Sequence, residues 1–207
     1  MHIALLGGSG RIGTYVLTWA LENGHEVTAL ARTPDSLPSA AGLTVISGQA
    51  TDSGAVADVV SDAQAVLSAL GPRGARTPAL LETAAGHIVA AMDKAGVRRL
   101  IAVSAAGAFI RGDPDTGAVV KFVVPRIFAT HFADVRQMET AIAASGLDWT
   151  LVRPTRFVNS PGTGRYRVRP DFPPPGGRKI APADVALFMT DALTEDSWIH
   201  SRPALAY

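Results

Sequence analysis

The stretch GGSGRIG, residues 7–13, constrains the fold of this chain more than any other feature. It follows the apolar run HIALL and leads into RIGTYVLTWALENGH, whose apolar residues recur at helical spacing and stop at Asn23 and Gly24. Three glycines, each three residues apart, allow a tight strand-to-helix turn, and the helix N-terminus offers N–H groups to a phosphate. The residues predicted to form or line this turn are Gly7, Gly8, Ser9, Gly10, Arg11 and Gly13.

Five further apolar runs follow, separated by helical patterns or turn residues. They are EVTALAR, GLTVISG, AQAVLSALG, VRRLIAVSA and DWTLVRP. Helical periodicity marks TPALLETAAGHIVAAMDKAG, with Thr77 as N-cap and Gly96 as C-cap, then HFADVRQMETAIAASG and a last helix, PADVALFMTDALT. Strands that are apolar throughout and alternate with helices predict an α/β fold, a doubly wound parallel sheet with helices on both faces.

The pattern changes beyond Pro154. The tract TRFVNSPGTGRYRVRPDFPPPGGRKI is rich in Pro, Gly and Arg, which predicts a small loop and strand region over the active-site end of the sheet. Arg165, Arg167 and Arg169 alternate, so they share one face of a short strand, and a solvated edge is favoured over an anion site. Because the chain has only 207 residues, we expect one domain over residues 1–207.

Charge and composition exclude several classes of function. The net charge is +1 and 18% of residues are charged, so the chain lacks the basic surface typical of nucleic-acid binding. No apolar segment reaches the length of a membrane span, and we expect a soluble, cytoplasmic protein. The absence of cysteine rules out disulfides and thiol catalysis, and the histidines show no spacing for a metal site.

The end of the second strand bears on the nucleotide expected at the glycine turn. A site that selects NAD places an Asp or Glu there for the ribose hydroxyls, whereas this chain has Arg32. Arginine pairs with a 2′-phosphate, so NADP(H) is favoured over NAD(H); Asp35 opposes this preference, and a solvated charge is the alternative interpretation of Arg32. Residues after the third and fourth strands are predicted to contact the adenosine, namely Gln49, Ala50, Leu70, Gly71 and Pro72.

Taken together, these segments resemble a known family. GGSGRIG, ALAR, VLSALG, AGVRRLIAVSAAG, SGLDWTLVRP, TGRYRV and KIAPADVALFM are similar to segments of the atypical short-chain dehydrogenase/reductase group, which includes flavin reductase-like and NmrA-like proteins. The resemblance implies a Rossmann-type fold that binds NAD(P)H and adds Ile12 to the cofactor contacts. The residues that it implies near the nicotinamide are Ser104, Ala105, Pro154, Thr155 and Arg156.

Two positions depart from the pattern of that family. Gln49 stands where relatives often have Asp, and Ala105 stands where the flavin reductases have a Ser. A serine-assisted mechanism at the position of Ala105 is therefore not expected. Ser104, one residue earlier, either substitutes for that serine or simply ends its strand.

The usual proton donor of short-chain dehydrogenases is missing. They use a Tyr with a Lys four residues later, and neither Tyr15 nor Tyr166 has a Lys at that spacing. The remaining catalytic candidates are Ser104, His131 and Arg156. His131 is either an acid or a pocket-wall residue, and Arg156 is a candidate to attract negative charge on an acceptor.

These features predict an NADPH-dependent oxidoreductase that transfers hydride to a flavin, quinone or similar conjugated acceptor, since such acceptors take their proton from water. Phe109, Ile110 and Phe157 would form walls for the acceptor or pack in the core. Two alternatives stay open: a redox-sensing NAD(P)-binding protein without catalysis, and a sugar epimerase or dehydratase, which the missing Tyr/Lys pair disfavours. The expected partner is a small-molecule electron acceptor, and the chain is expected to be a monomer or homodimer.

Overall fold

A computed structural model describes residues 1–71 and 79–207 of the chain. Strands and helices alternate along most of it. The strands are β1 (His2–Leu6), β2 (Glu26–Ala31), β3 (Leu43–Ser47), β4 (Ala65–Ser68), β5 (Arg99–Val103), β6 (Asp148–Pro154), β7 (Arg156–Phe157), β8 (Arg167–Pro170), β9 (Lys179–Ile180) and β10 (Pro203–Ala206). The α-helices are α1 (Gly13–Glu22), α2 (Ser53–Val60), α3 (Leu80–Ala95), α4 (Ala118–Ile127), α5 (Ala129–Ala143) and α6 (Pro182–Asp191).

The main sheet has the strand order β3-β2-β1-β4-β5-β6-β10-β8 in the described residues, and every neighbouring pair is parallel except β10 and β8. A separate small ribbon pairs β7 with β9 in parallel. The strand order reverses between β1 and β4. This is the doubly wound, Rossmann-type α/β fold that the sequence predicts.

The strands are apolar throughout because helices cover both faces of the sheet. Alternate residues of β1 belong to two different cores. Ala4 and Leu6 pack with α2, α3 and α5, whereas Ile3 and Leu5 pack with α1 and α6. All four side chains are fully buried. The central strand therefore contributes to both layers, with α2, α3 and α5 on one side of the sheet and α1 and α6 on the other.

Helix α3 begins with a cap supplied from elsewhere in the chain. The predicted N-cap, Thr77, lies outside the described residues. The carboxylate of Asp134, on α5, accepts hydrogen bonds from the backbone N–H groups of Leu81 at 3.0 Å and Glu82 at 2.9 Å. These bonds satisfy two donors of the first turn and attach the start of α3 to α5.

Two other helix boundaries have clear capping residues, and one of them, Gly96, is the C-cap that the sequence predicts. Asp52 caps α2, where its carboxylate accepts hydrogen bonds from the N–H groups of Gly54 at 2.9 Å and Ala55 at 3.4 Å. Gly96 ends α3 with a φ of +71°, a conformation that residues with a Cβ rarely adopt.

The C-terminal region contains a strand that the sequence analysis missed. β10 lies between β6 and β8, so β8 is the edge strand of the sheet, as expected for the alternating arginines. These arginines also hold the surrounding loop in place. Arg167 donates hydrogen bonds to the carbonyls of Pro175 at 2.9 Å and Tyr207 at 2.8 Å, and Arg169 forms an ion pair with Asp115. At only four residues, PALA is too short to show a periodicity of its own.

Asp184 attaches the loop before β8 to helix α6. Its carboxylate accepts hydrogen bonds from the N–H groups of Thr163 at 3.0 Å and Gly164 at 2.8 Å, and from the Tyr207 hydroxyl at 2.5 Å. Burial raises the pKa of this carboxyl, but the hydrogen bonds from Tyr207, Thr163 and Gly164 outweigh burial and hold the pKa below its ordinary value. The C-terminal loop is therefore fixed by a buried charge with several donors.

Helix α4 was not predicted as a separate element, and it leaves several apolar side chains in solvent. Val119 is 75% exposed, Phe122 61% and Ile127 67%.

None of the helices in residues 1–71 and 79–207 combines the length and the apolar character that crossing a membrane requires.

Replacing Asp134 with Ala should destabilise the protein. The substitution leaves the N–H groups of Leu81 and Glu82 without their acceptor, so we expect the free energy of unfolding to fall by about 1–3 kcal/mol. Urea denaturation measures this change, and Asp58→Ala, an exposed carboxylate on α2, is the matched control with an expected change near zero. Equal stability of the two variants would contradict the capping role of Asp134.

Candidate functional site

A cavity of about 640 Å³ opens at the carboxyl edge of the sheet, where the strand order reverses between β1 and β4. Open α/β sheets bind ligands at this place, because the chain leaves the two strands toward opposite faces and a crevice remains between them. The lining consists of Gly7, Ser9, Gly10, Arg11, Ile12, Leu30, Ala31, Arg32, Gly48, Gln49, Ala50, Thr51, Ala69, Leu70, Gly71, Leu80, Leu81, Val103, Ser104, Ala105, His131, Val135, Pro154, Thr155 and Phe157.

The turn after β1 requires glycine at two positions. Gly7 has a φ of +85°, and a Cβ there would lie 2.6 Å from the carbonyl oxygen of Ala69, in the segment after β4. A Cβ at Gly13 would collide with the carbonyl oxygen of Gly7. The turn therefore packs directly against the end of β4 and the start of α1. Gly13 lies buried beneath the turn and, like Gly8, does not line the cavity.

The N-terminus of α1 is suited to an anion. Its N-cap residue, Ile12, makes no side-chain capping hydrogen bond, and the first turn holds no acidic residue. In contrast, α2 and α3 begin at the same edge of the sheet with carboxylates from Asp52 and Asp134 on their N–H groups. The N–H group of Thr14 donates to the carbonyl of Gly10 at 3.0 Å, but no carboxylate neutralises the positive end of the α1 dipole, which remains suited to a phosphate in the cavity.

One end of the cavity lies beyond β2 and β3. Arg32, directly after β2, is exposed and forms no ion pair within the described ranges. Asp35 is also exposed and is not paired with Arg32. Gln49 and Ala50 follow β3 and line the same end. This end offers an unpaired guanidinium and an amide, which are groups that bind phosphate and ribose oxygens.

The opposite end of the cavity, beyond β5 and β6, is mainly apolar. Its apolar lining includes Ala105, Val135, Pro154 and Phe157. The polar side chains at this end are those of Ser104, Thr155 and His131. The Thr155 hydroxyl already donates a hydrogen bond to the carbonyl of Leu205 at 3.1 Å.

Ser104 is joined to a buried ion pair that the sequence analysis missed. Its hydroxyl donates a hydrogen bond to the carboxylate of Glu139, on α5. The guanidinium of Arg153, on β6, binds the same carboxylate through two parallel hydrogen bonds, from Nε to Oε1 at 2.9 Å and from Nη2 to Oε2 at 2.6 Å. Both charged side chains are about 5% exposed. Removing either charge would leave the other buried without a partner, so the pair is held in one geometry.

His131 lines the apolar end from the first turns of α5 and is half-buried. Burial lowers the pKa of its imidazole below the ordinary value of 6.5, and the nearby charge of Asp134 only partly opposes this effect. The ring lies 5.8 Å from that of Phe132, centre to centre. At neutral pH the imidazole is therefore mostly uncharged, and the apolar end carries no protonated acid at this position.

Of two further arginines predicted at the site, Arg11 lines the cavity and Arg156 does not. The Arg11 guanidinium donates to the side-chain oxygen of Asn159 at 2.6 Å and lies 5.4 Å from the centre of the Phe157 ring, so it connects the glycine turn with the segment after β6. Arg156 is exposed and does not line the cavity, although its neighbours Thr155 and Phe157 do. Alternation of side chains along an extended segment places Arg156 on the other side.

Most of the predicted site residues therefore meet in one cavity. Gly8, Gly13 and Arg156 lie outside its lining, and Pro72 lies outside the described residues. Gly48, Ala69 and Val103 also line it, and their places at or next to strand ends were the signal that could have found them. Thr51 lines it from the loop between β3 and α2. Leu80, Leu81 and Val135 come from helices, where the sequence gives no such signal.

No cluster of three or more His, Cys, Asp or Glu side chains suitable for a metal ion occurs in residues 1–71 and 79–207. Among the described residues of the cavity lining, the fully charged side chains are those of Arg11 and Arg32. Together with the uncapped start of α1, they make the cavity a site for an anionic ligand of elongated shape, with a polar end and an apolar end.

Comparison with known proteins gives relatives of the same architecture. The chain is 27% identical over 180 residues to an uncharacterized sugar epimerase, YhfK, from Bacillus subtilis, which covers 83% of this chain and 79% of that protein. Among solved structures, a short-chain dehydrogenase/reductase from Veillonella parvula in complex with NADP has a TM-score of 0.81 at 20% identity, covering 100% of this chain and 94% of that one. ChuY, an anaerobilin reductase from Escherichia coli O157:H7, has a TM-score of 0.81 at 22% identity, with 100% and 97% covered.

The sequence profile of the NAD(P)H-binding family matches residues 7–196, which include the glycine turn, strands β2 to β6 and helix α6. Solved structures with the same fold also include an oxidoreductase from Lactococcus lactis and a putative epimerase from Bacteroides thetaiotaomicron. With this match over most of its length and a cavity at the switch point of its sheet, the chain belongs to the NAD(P)H-binding family.

Proposed function

We propose that the protein is an NADPH-dependent oxidoreductase that reduces a flavin, quinone or similar conjugated acceptor. The observation that carries the proposal is the lining of the cavity. Among its described residues there is no Tyr, Lys, Asp or Glu, and the fully charged side chains are two arginines. Such a site binds an anionic nucleotide and positions rings against each other, but it lacks the Tyr/Lys proton donor that carbonyl reduction uses.

The proposed cofactor contacts follow the cavity from one end to the other. The uncapped first turn of α1 would bind the pyrophosphate, Arg32 the 2′-phosphate, and Gln49, Ala50, Leu70 and Gly71 the adenosine. Ser104, Ala105, Pro154 and Thr155 would surround the nicotinamide. When bound, NADPH supplies the hydride, and the accompanying proton comes from water. The NADP complex of the Veillonella parvula protein supports the choice of dinucleotide.

The apolar end suits a planar acceptor. Phe157, Val135 and Ala105 exclude water from one side of the nicotinamide position and leave room for a ring. ChuY, which has the same fold, is an anaerobilin reductase, and this supports reduction as the type of reaction. Arg156 faces away from this cavity, so a role for it requires an acceptor group that extends around the edge of β7.

A sugar epimerase is the second candidate, because the Bacillus subtilis relative bears that name. Epimerisation through a keto intermediate needs a side chain to remove and return the hydroxyl proton. Of the polar residues described near the nicotinamide end, Ser104 already donates its proton to Glu139 and Thr155 donates to the carbonyl of Leu205, which leaves His131. The cavity therefore supports reductase chemistry better than epimerase chemistry.

An acceptor panel tests the proposal directly. Purified protein is mixed with NADPH and with FMN, riboflavin or a soluble quinone, and the absorbance of reduced nicotinamide is followed. We expect consumption of NADPH that depends on both the protein and one of the acceptors. Tight NADPH binding without consumption by any acceptor would contradict the oxidoreductase proposal and favour a redox-sensing protein.

Replacing Arg32 with Ala should weaken NADPH binding much more than NADH binding, since only NADPH carries the 2′-phosphate. Loss of a charge-assisted contact corresponds to about a 10- to 100-fold rise in the Kd for NADPH. Titration calorimetry with both dinucleotides measures the effect. Arg98→Ala is the matched control, because Arg98 pairs with Asp148 at the amino edge of the sheet. An equal loss for NADPH and NADH would refute the assignment of Arg32.

The state of His131 provides a third test. Because burial lowers its pKa, its NMR resonance should titrate below 6.5. The neutral buried imidazole contributes fully to the free energy of unfolding above pH 6.5. This contribution is lost as the pH falls through the lowered pKa of His131. If water supplies the proton, His131→Gln should lower kcat far less than the roughly 100-fold that removal of a general acid costs. A loss of that size at pH 7 would instead make His131 the acid.

A further inference from the structure

The buried cluster of Ser104, Glu139 and Arg153 fixes the direction of a hydrogen bond at the cavity wall. A serine hydroxyl has one proton to donate and two lone pairs that accept. In this cluster the proton of Ser104 points to Oε1 of Glu139. The cavity side of the Ser104 oxygen is therefore left with acceptor capacity only.

The charges around Glu139 prevent the reverse arrangement. Arg153 donates to both oxygens of the carboxylate, and Nε of Arg202 lies 3.4 Å from Oε2. A carboxylate that faces two guanidinium groups is ionised and cannot donate, so the hydrogen bond with Ser104 can run only from the hydroxyl to the carboxylate.

Other contacts prevent the cluster from rotating. Nη1 of Arg153 donates to the carbonyl of Asp171 at 2.8 Å, and its guanidinium lies 3.6 Å from the centre of the Phe109 ring. Phe109 itself is packed against the core on the α5 side of the sheet. Because three hydrogen bonds and the Phe109 ring fix the guanidinium of Arg153, Glu139 is held in place and keeps the Ser104 hydroxyl in one orientation.

We propose that Ser104 accepts a hydrogen bond from the carboxamide N–H of bound nicotinamide, and that Glu139 and Arg153 are positioning residues that make it an acceptor. The inference rests on the proposed NADPH site. With the pyrophosphate at α1 and the adenosine beyond β2 and β3, the nicotinamide end reaches the end of β5, where Ser104 lies. The carboxamide is the group at that end of the dinucleotide that carries N–H donors. Ser104 would therefore orient the nicotinamide ring and would not protonate the acceptor.

Binding of two dinucleotides tests this inference without any turnover. One is NADP⁺, and the other is its 3-acetylpyridine analogue, in which a methyl group replaces the carboxamide NH₂. The wild-type protein should bind the analogue about 5- to 10-fold more weakly than NADP⁺. Ser104→Ala should bind both with equal affinity, near that of the wild-type protein for the analogue. A Ser104→Ala variant that keeps the wild-type ratio of the two Kd values would overturn the proposal.

Two further variants separate orientation from loss of packing. Ser104→Thr keeps the hydroxyl and should restore preference for NADP⁺. Ser145→Ala, which removes a hydroxyl in the turn between α5 and β6, should leave the ratio unchanged. These Kd values do not depend on an acceptor. A protein that reduces none of the acceptors can still show the expected Kd ratio, and a protein that reduces an acceptor can lack it.

Glu139→Gln tests the positioning role. In either orientation the new amide sets its NH₂ group against an N–H donor of Arg153, because Nε donates to Oε1 and Nη2 to Oε2. The Ser104 hydroxyl is then no longer held in one orientation, so the preference for NADP⁺ should fall toward equality. Thermal unfolding of the variant shows whether Arg153 remains accommodated without its charge partner. A folded Glu139→Gln variant with the full wild-type preference would contradict the role of Glu139, and an unfolded one leaves the decision to Ser104→Ala.

Discussion

The close approach of the turn after β1 to the segment after β4 is the contact on which the site depends. Parallel pairing brings β1 and β4 together, yet the chain then leaves them toward opposite faces, into α1 on one side and α3 on the other. Only a residue without a Cβ fits at Gly7, where backbone meets the backbone of Ala69. The crevice opens directly above this contact, and the start of α1 is held at its floor.

The dipole of each helix attracts anions to the helix N-terminus at this edge of the sheet, but only some of these N-termini have a carboxylate beside them. Asp52 neutralises the start of α2, and Asp134 neutralises the start of α3 from a distant helix. The start of α1 has no such carboxylate. The attraction for phosphate is therefore concentrated at one place, and the cavity residues with full charge, Arg11 and Arg32, extend it in the same sense.

Local signals predicted the parts of the site that local structure creates. The glycine turn, the apolar strands and Arg32 each depend on a few adjacent residues, and the fold and the polar end of the cavity followed from them. The residues at the apolar end, such as Ser104 and Pro154, were predicted from the resemblance to a known family. Glu139 was missed because its partners, Ser104 and Arg153, are 35 and 14 residues away and meet it only in the folded chain. The same holds for Asp134, 53 residues from Leu81. β10 was missed because its pairing with β6, not its own pattern, makes it a strand.

The two ends of the cavity differ in what they offer a ligand. At the polar end the described residues supply positive charge, which binds oxygen anions whatever reaction follows. At the apolar end burial lowers the pKa of His131, which favours its neutral form, and the Ser104 and Thr155 hydroxyls donate to Glu139 and Leu205. Acid catalysis by Ser104 or Thr155 would need a proton that these hydrogen bonds already hold. The proposed reaction, whose proton comes from water and whose rate depends on how two rings are held, is consistent with both ends of the cavity.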